Sequence, residues 1–301
     1  MKQPLVSLTI VTYNSSRYIV EALDSAKTQT YKNIELIISD DCSKDDTVEI
    51  CRKWLDENGE RFARTVLLET PENTGVSANF NRAIAESRGE WVKVLAGDDL
   101  FLPTCVEDNL NFIQQNPEAK VVFSVARTFK MKNGKRVYLR QRPKRRHLPY
   151  FQMSAAEQLK QLYAFCFLPA PTLFIEGEIV RSCKFDERFR NIEDYPMWIK
   201  LTKKGYKLHF FNTITIWYRI TDSLSKHVDR FYNVNFMDTH FAFLDSIYEE
   251  TLKYHPKVVR QREIDRKVYY FTIKYLNNKR NLFTRGIRKI AKKIISFNTP
   301  S

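Results

Sequence analysis

Residues Trp91 to Pro103 read WVKVLAGDDLFLP. An apolar run, Trp91–Leu95, ends in a small Ala-Gly pair and then two adjacent aspartates, Asp98 and Asp99. Short apolar runs bounded by turn residues predict a buried strand. Two like charges at its end repel one another unless a cation or a donor group divides their tasks. An isolated acidic pair is more often a turn or a helix cap, so its surroundings decide its meaning.

Those surroundings repeat the pattern. Val6–Thr12 (VSLTIVT) and Ile34–Ser39 (IELIIS) predict buried strands, and Thr65–Glu69 (TVLLE) a third. Helical spacing falls between them: residues 15–29 carry Tyr18, Ile19, Ala22, Leu23 and Ala26 on one face, and 47–55 and 76–87 follow. Alternating strands and helices imply βαβ units and a mostly parallel sheet covered on both faces. The ligand crevice of such a sheet lies beyond the carboxyl ends of its strands. The polar clusters fall there: TYN after the first strand, DDCSKDDT after the second, GDD after the fourth. Asp45 and Asp46 stand in a helix-capping context.

The later sequence differs. Asn133-Gly134 between 121–130 and 135–139 predicts a type I′ hairpin. Long helices are expected at 229–254 and 261–278, then an amphipathic segment, TRGIRKIAKKIISF. The expected division is a domain of residues 1–225 and a helical region of 226–301.

The chain of 301 residues carries a net charge of +14, which favours anionic partners without choosing among them. Five cysteines without a CxxC pair argue against a disulfide framework or zinc site. No signal-peptide pattern and no apolar run of bilayer-spanning length is present, so a cytoplasmic location is expected.

Taken in order, SLTIVTYNSSRYIVEALDSAKTQTYKNIELIISDDCSKDDT, ENTGVSANFNRAI, GEWVKVLAGDDLFLP and FDERFRNIEDYPMWIKL resemble the family 2 glycosyltransferases. They cover about the first 220 residues; the last 80 or so carry no motif of that family. The resemblance implies a GT-A fold with a C-terminal helical extension. It implies an inverting, metal-dependent transfer of a sugar from a nucleotide diphosphate, with UDP as the default, to a glycan or lipid-linked acceptor.

Carried over residue by residue, the resemblance puts Tyr13 and the Val11 backbone beside the nucleotide base, with Asp41 accepting a hydrogen bond from it. Asp98 falls near the ribose, and Asp99 on a divalent metal, Mn²⁺ or Mg²⁺. Asp194 becomes the base that deprotonates the acceptor, supported by Glu193. For this last pair, helix capping is the competing reading. WYRITDSLSKH resembles the family's donor-covering loop, with Arg219 able to offset phosphate charge. Two departures stand out: Ala96 where an aspartate is common, and Thr221 where the family has histidine, leaving His227 as a substitute.

Residues 130–147 and the C-terminal amphipathic segment are strongly basic. A peripheral contact with an anionic membrane at the inner face of the cell is one expectation for them; a solvated surface is the other. A basic nucleic-acid-binding protein is the rival function, but no recognised motif supports it. A degenerate transferase kept as a scaffold is the third.

Overall fold

The computed structural model describes residues 3–220, 230–279 and Gly286. Thr221, His227 and the C-terminal amphipathic segment, apart from Gly286, lie outside the described residues.

In chain order the elements are β1 (Val6–Thr12), α1 (Ile19–Lys27), β2 (Ile34–Asp40), α2 (Thr47–Asn58), β3 (Arg64–Glu69), α3 (Val76–Glu86), β4 (Trp91–Ala96), β5 (Leu100–Phe101), α4 (Cys105–Gln115), β6 (Val121–Lys132), β7 (Lys135–Arg142), α5 (Ala155–Ala164), β8 (Phe174–Glu176), α6 (Gly177–Cys183), α7 (Asp194–Lys203), β9 (Leu208–Arg219), α8 (Val234–Ser246), α9 (Tyr248–Tyr254) and α10 (Pro256–Leu276). The chain divides into two compact units, Met1–Leu159 with Cys166–Ile220, and Lys160–Phe165 with Thr221–Ser301.

The first unit is built on one sheet of order β3-β2-β1-β4-β8-β6-β9-β5, with β7 added to β6. Its first four strands are parallel. Every residue of β1 and β2 is buried, as expected where helices cover both faces. Leu8, Ile10, Leu36 and Ile38 share one core with Ile19, Leu23 and Ala26 of α1 and Trp54 of α2. Truncating one such leucine to alanine costs about 2–5 kcal/mol. The opposite face carries Ser7, whose hydroxyl donates to buried Glu35 at 2.6 Å. Arg64 pairs with the same glutamate at 3.1 Å, so this buried charge is compensated.

Beyond β4 the sheet turns mixed. β8 runs antiparallel to both β4 and β6, while β6 and β9 are parallel. The hairpin expected at Asn133-Gly134 forms between β6 and β7, and both turn residues have positive φ, 50° and 72°.

In the second unit, the stretch read as one helix over 229–254 is two, α8 and α9, divided at Ile247. The next helix starts at Pro256, earlier than residue 261. Proline fits a first helical position because its missing N–H is not needed there. Within this unit, Arg262 donates to the carbonyls of Tyr163 and Ala164, at 2.8 and 3.0 Å. Among the described residues no helix is long and apolar enough to cross a membrane.

Candidate active site

Parallel register brings the polar strand ends level. Thr12 pairs with Asp40 and Val11 with Ala96. The links continue past the strands: the Asp41 N–H donates to the Thr12 carbonyl at 3.0 Å, and the Gly97 N–H to the Val11 carbonyl at 2.9 Å. Tyr13 follows, 41% exposed. The Asn14 N–H donates to the Ser43 hydroxyl, and the Lys44 N–H to the Asn14 side-chain oxygen, each at 2.8 Å. The TYN turn is thereby pinned to the DDCSKDDT turn.

Asp45 takes part in this pinning. It accepts from the N–H groups of Thr47 and Ser16. Asp46 stands at the N-cap of α2, but its side chain makes no cap hydrogen bond.

Asp41 is buried and heavily solvated by the protein itself. It accepts from the N–H groups of Thr74 and Gly75, from the Thr74 hydroxyl and from Arg82 at 2.7 Å. Burial pushes its carboxyl up, but these donors outweigh burial and hold it below the ordinary value. The motif ENTGVSANFNRAI thus acts as a clamp on Asp41. No local pattern gives a residue of that motif a role; its basic position, Arg82, is the one signal it offers. Gly75 closes the clamp with φ of 95°, and a Cβ there would sit 2.7 Å from the Arg190 carbonyl.

Asp98 and Asp99 lie on the turn between β4 and β5. Asp99 is 2% exposed. Burial, and then the Asp98 charge, push its carboxyl well above the ordinary range, partly offset by Arg219. The Arg219 N–H donates to Asp99 Oδ1 and its Nε to the Asp98 carbonyl, both at 2.7 Å. Its guanidinium lies 3.0 Å from Glu21 and 4.7 Å from the ring centres of both Tyr18 and Phe129. Arg219 is a buried strut that joins the end of β9 to the acidic turn. A phosphate near it would share a charge that Glu21 already engages. Glu21 gave no sequence signal, because its arginine partners are distant in the chain.

The second acidic pair begins α7. Glu193 holds the N-cap position yet makes no cap hydrogen bond, whereas Asp194 accepts from the Tyr195 N–H at 2.6 Å. Behind them Tyr195, Met197, Trp198, Ile199 and Leu201 are buried, which fixes the helix. Trp198 meets Phe123 of β6 edge-on at 4.8 Å. Burial raises both carboxyls, and the Asp194 charge raises Glu193 further.

The Tyr218 phenol is pushed up by burial, and then by the charges of Asp99, Asp98 and Glu193, against a lowering effect of Arg142. Asp194 and Glu193 in turn raise the half-buried Cys166 thiol, after desolvation itself. Tyr218, Cys166 and Arg142 were not singled out from sequence. Among the described residues no three His, Cys, Asp or Glu side chains gather into a metal cluster. A divalent ion is compatible with a single protein carboxylate where substrate phosphates and water supply the other ligands.

Comparison with known proteins adds to this geometry. The family model described as glycosyl transferase family 2 matches residues 7–168, more than half of the chain. The chain belongs to glycosyl transferase family 2. An uncharacterized glycosyltransferase of Rickettsia typhi is 28% identical over 73% of this chain, which spans 65% of that relative. WfaP of Escherichia coli, a UDP-Glc:alpha-D-GlcNAc-diphosphoundecaprenol beta-1,3-glucosyltransferase, is 27% identical over 72% of this chain and 77% of its own length. Staphylococcus aureus TarS 1–349, solved in complex with UDP-GlcNAc, superposes with a TM-score of 0.62 at 18% identity, covering 97% of this chain and 80% of TarS 1–349. This likeness supports the GT-A fold of the family 2 chain.

Proposed function

We propose that this protein moves a sugar from a nucleotide diphosphate, with UDP as the nucleotide, to a hydroxyl of a lipid-linked glycan precursor, with inversion. The observation that carries the reading is the set of polar strand ends held level by the parallel register, with Asp98 and Asp99 braced there by Arg219. The relative acting on a diphosphoundecaprenol-linked substrate supports the acceptor class, and the solved UDP-GlcNAc complex supports the nucleotide.

Asp194 is the base. Burial pushes its carboxyl up to about 6, close to a working pH, where a base couples an ionised form with useful proton affinity. It takes the proton from the acceptor hydroxyl. That oxygen bonds to the anomeric carbon while the bond to the diphosphate oxygen breaks on the opposite face. Glu193, with the higher affinity for its proton, supports Asp194 or binds the acceptor. Tyr13 offers its exposed ring to the base, with the Val11 main chain and the clamped Asp41 beside it, and Asp98 faces the ribose. A divalent cation held by Asp99 and the diphosphate would neutralise the leaving group. The reaction is placed at the cytoplasmic side of a membrane that carries the acceptor.

The test is a panel of sugar nucleotides, scored for transfer and for donor hydrolysis with Mn²⁺. One donor should turn over, and Asp194→Asn should lower its rate by about 10²–10⁴-fold. Turnover unaffected by that change would remove Asp194 as base. No turnover with any donor would favour a scaffold.

A further inference from the structure

The β6–β7 hairpin carries charge that the donor chemistry does not use. No aspartate or glutamate occurs between Glu118 and Glu157. All eight residues of β7 are exposed, and among the described residues its one strand partner is β6. Pairing across the hairpin sorts its side chains by face, because directly opposed residues share a side of the pleat. Arg136 opposes Met131 and Tyr138 opposes Phe129; Val137 opposes Lys130 and Lys135 opposes Lys132.

The first face turns to the unit. Tyr138 packs 5.6 Å from Trp217, and Arg136 donates to Glu21 at 2.7 Å. Glu21 also pairs with Arg219, the strut behind Asp98 and Asp99. The hairpin is thus tied to the donor corner. Among the described residues the second face has no such ties. It sets Lys130, Lys132 and Lys135 beside Val137 and Leu139, which are 37% and 48% exposed. Like charges placed directly opposite, as Lys132 and Lys135 are, oppose strand pairing. An anionic surface would relieve that repulsion while covering the two aliphatic side chains. Lysines also discourage an edge strand from pairing with another copy, but charge alone does that and leaves Val137 and Leu139 unexplained.

We infer that this outer face docks on an anionic lipid bilayer: Lys130, Lys132 and Lys135 meet headgroup phosphates, and Val137 and Leu139 enter the interface. The inference deepens the proposed function, and rests on it only for the idea that the acceptor is carried in that bilayer. The Arg136–Glu21–Arg219 chain would then hold the donor corner at a fixed place relative to the lipid.

The test is co-sedimentation of the full chain with vesicles of phosphatidylcholine alone or mixed with phosphatidylglycerol. Binding should require phosphatidylglycerol and weaken with salt. The variant Lys132→Glu/Lys135→Glu/Val137→Ser/Leu139→Ser should lower partitioning about tenfold or more, with an unchanged melting temperature and unchanged protection by UDP. The milder Lys132→Gln/Lys135→Gln should fall between. Wild type that ignores phosphatidylglycerol, or variants that sediment as wild type does, would overturn the assignment. Neither readout needs sugar transfer, so failure of the docking face and failure of the proposed reaction are separately visible.

Discussion

At the scale of single residues, Asp194 begins α7 with its carboxyl pushed up to about 6 by burial. An unfolded chain returns it to about 3.9. The folded state therefore holds the proton more tightly, and ionisation weakens the fold. This contribution is absent below the unfolded value and grows as pH rises through the folded one. Asp194→Asn should raise stability by roughly 1–3 kcal/mol at pH 7 while lowering transfer by about 10²–10⁴-fold, and the gain should vanish near pH 4. Urea unfolding at both pH values measures it; equal stabilities at pH 7 would contradict the assigned environment. Asp99 invites a different experiment. With one carboxylate and no protein cage, Mn²⁺ should bind measurably only when UDP is present. Asp99→Ala should weaken that ternary binding by about 10–100-fold in calorimetry. Undiminished binding would move the metal elsewhere.

At the scale of elements, β1 through β4 and their helices were legible because both signals are local. Buried parallel strands are apolar runs, and α1 shows its stripe at Ile19, Ala22, Leu23 and Ala26. The acidic turns were legible for the same reason. What was not legible is pairing between distant elements. Nothing local says that β8 inserts between β4 and β6, that Arg82 clamps Asp41, or that Glu21 meets Arg219. The clamp also gives Gly75 a defined task. Its φ of 95° disfavours a side chain, and an added Cβ would press on the Arg190 carbonyl, which cannot swing aside as a side chain can. Gly75→Ala should cost about 2–3 kcal/mol, lowering the melting temperature by about 5–10 °C. A shift under one degree or so would mean that the loop relaxes freely.

At the scale of the whole molecule, an acidic strand-end region sits within a chain of net charge +14. The positive surplus attracts anionic donors and acceptors, while local carboxylates do the chemistry in the reading proposed above. The described part of the second unit is mostly helical, yet no motif foretells its ring packing, in which Tyr269 stands 5.2 Å from Tyr232 and 5.3 Å from Phe241. Its aromatic content announced a core, not an arrangement. One feature of the first unit reaches into biosynthesis. Arg219 ends the last strand of that unit, yet its main-chain N–H holds Asp99, and Trp217 pairs with Leu100. On a ribosome, where N-terminal segments emerge first, the parallel strands and the acidic turn are complete long before their strut is made. The acidic turn is therefore unbraced in every nascent chain that stops short of β9; if it holds the donor as proposed, nucleotide capture waits for nearly the whole unit to be synthesised.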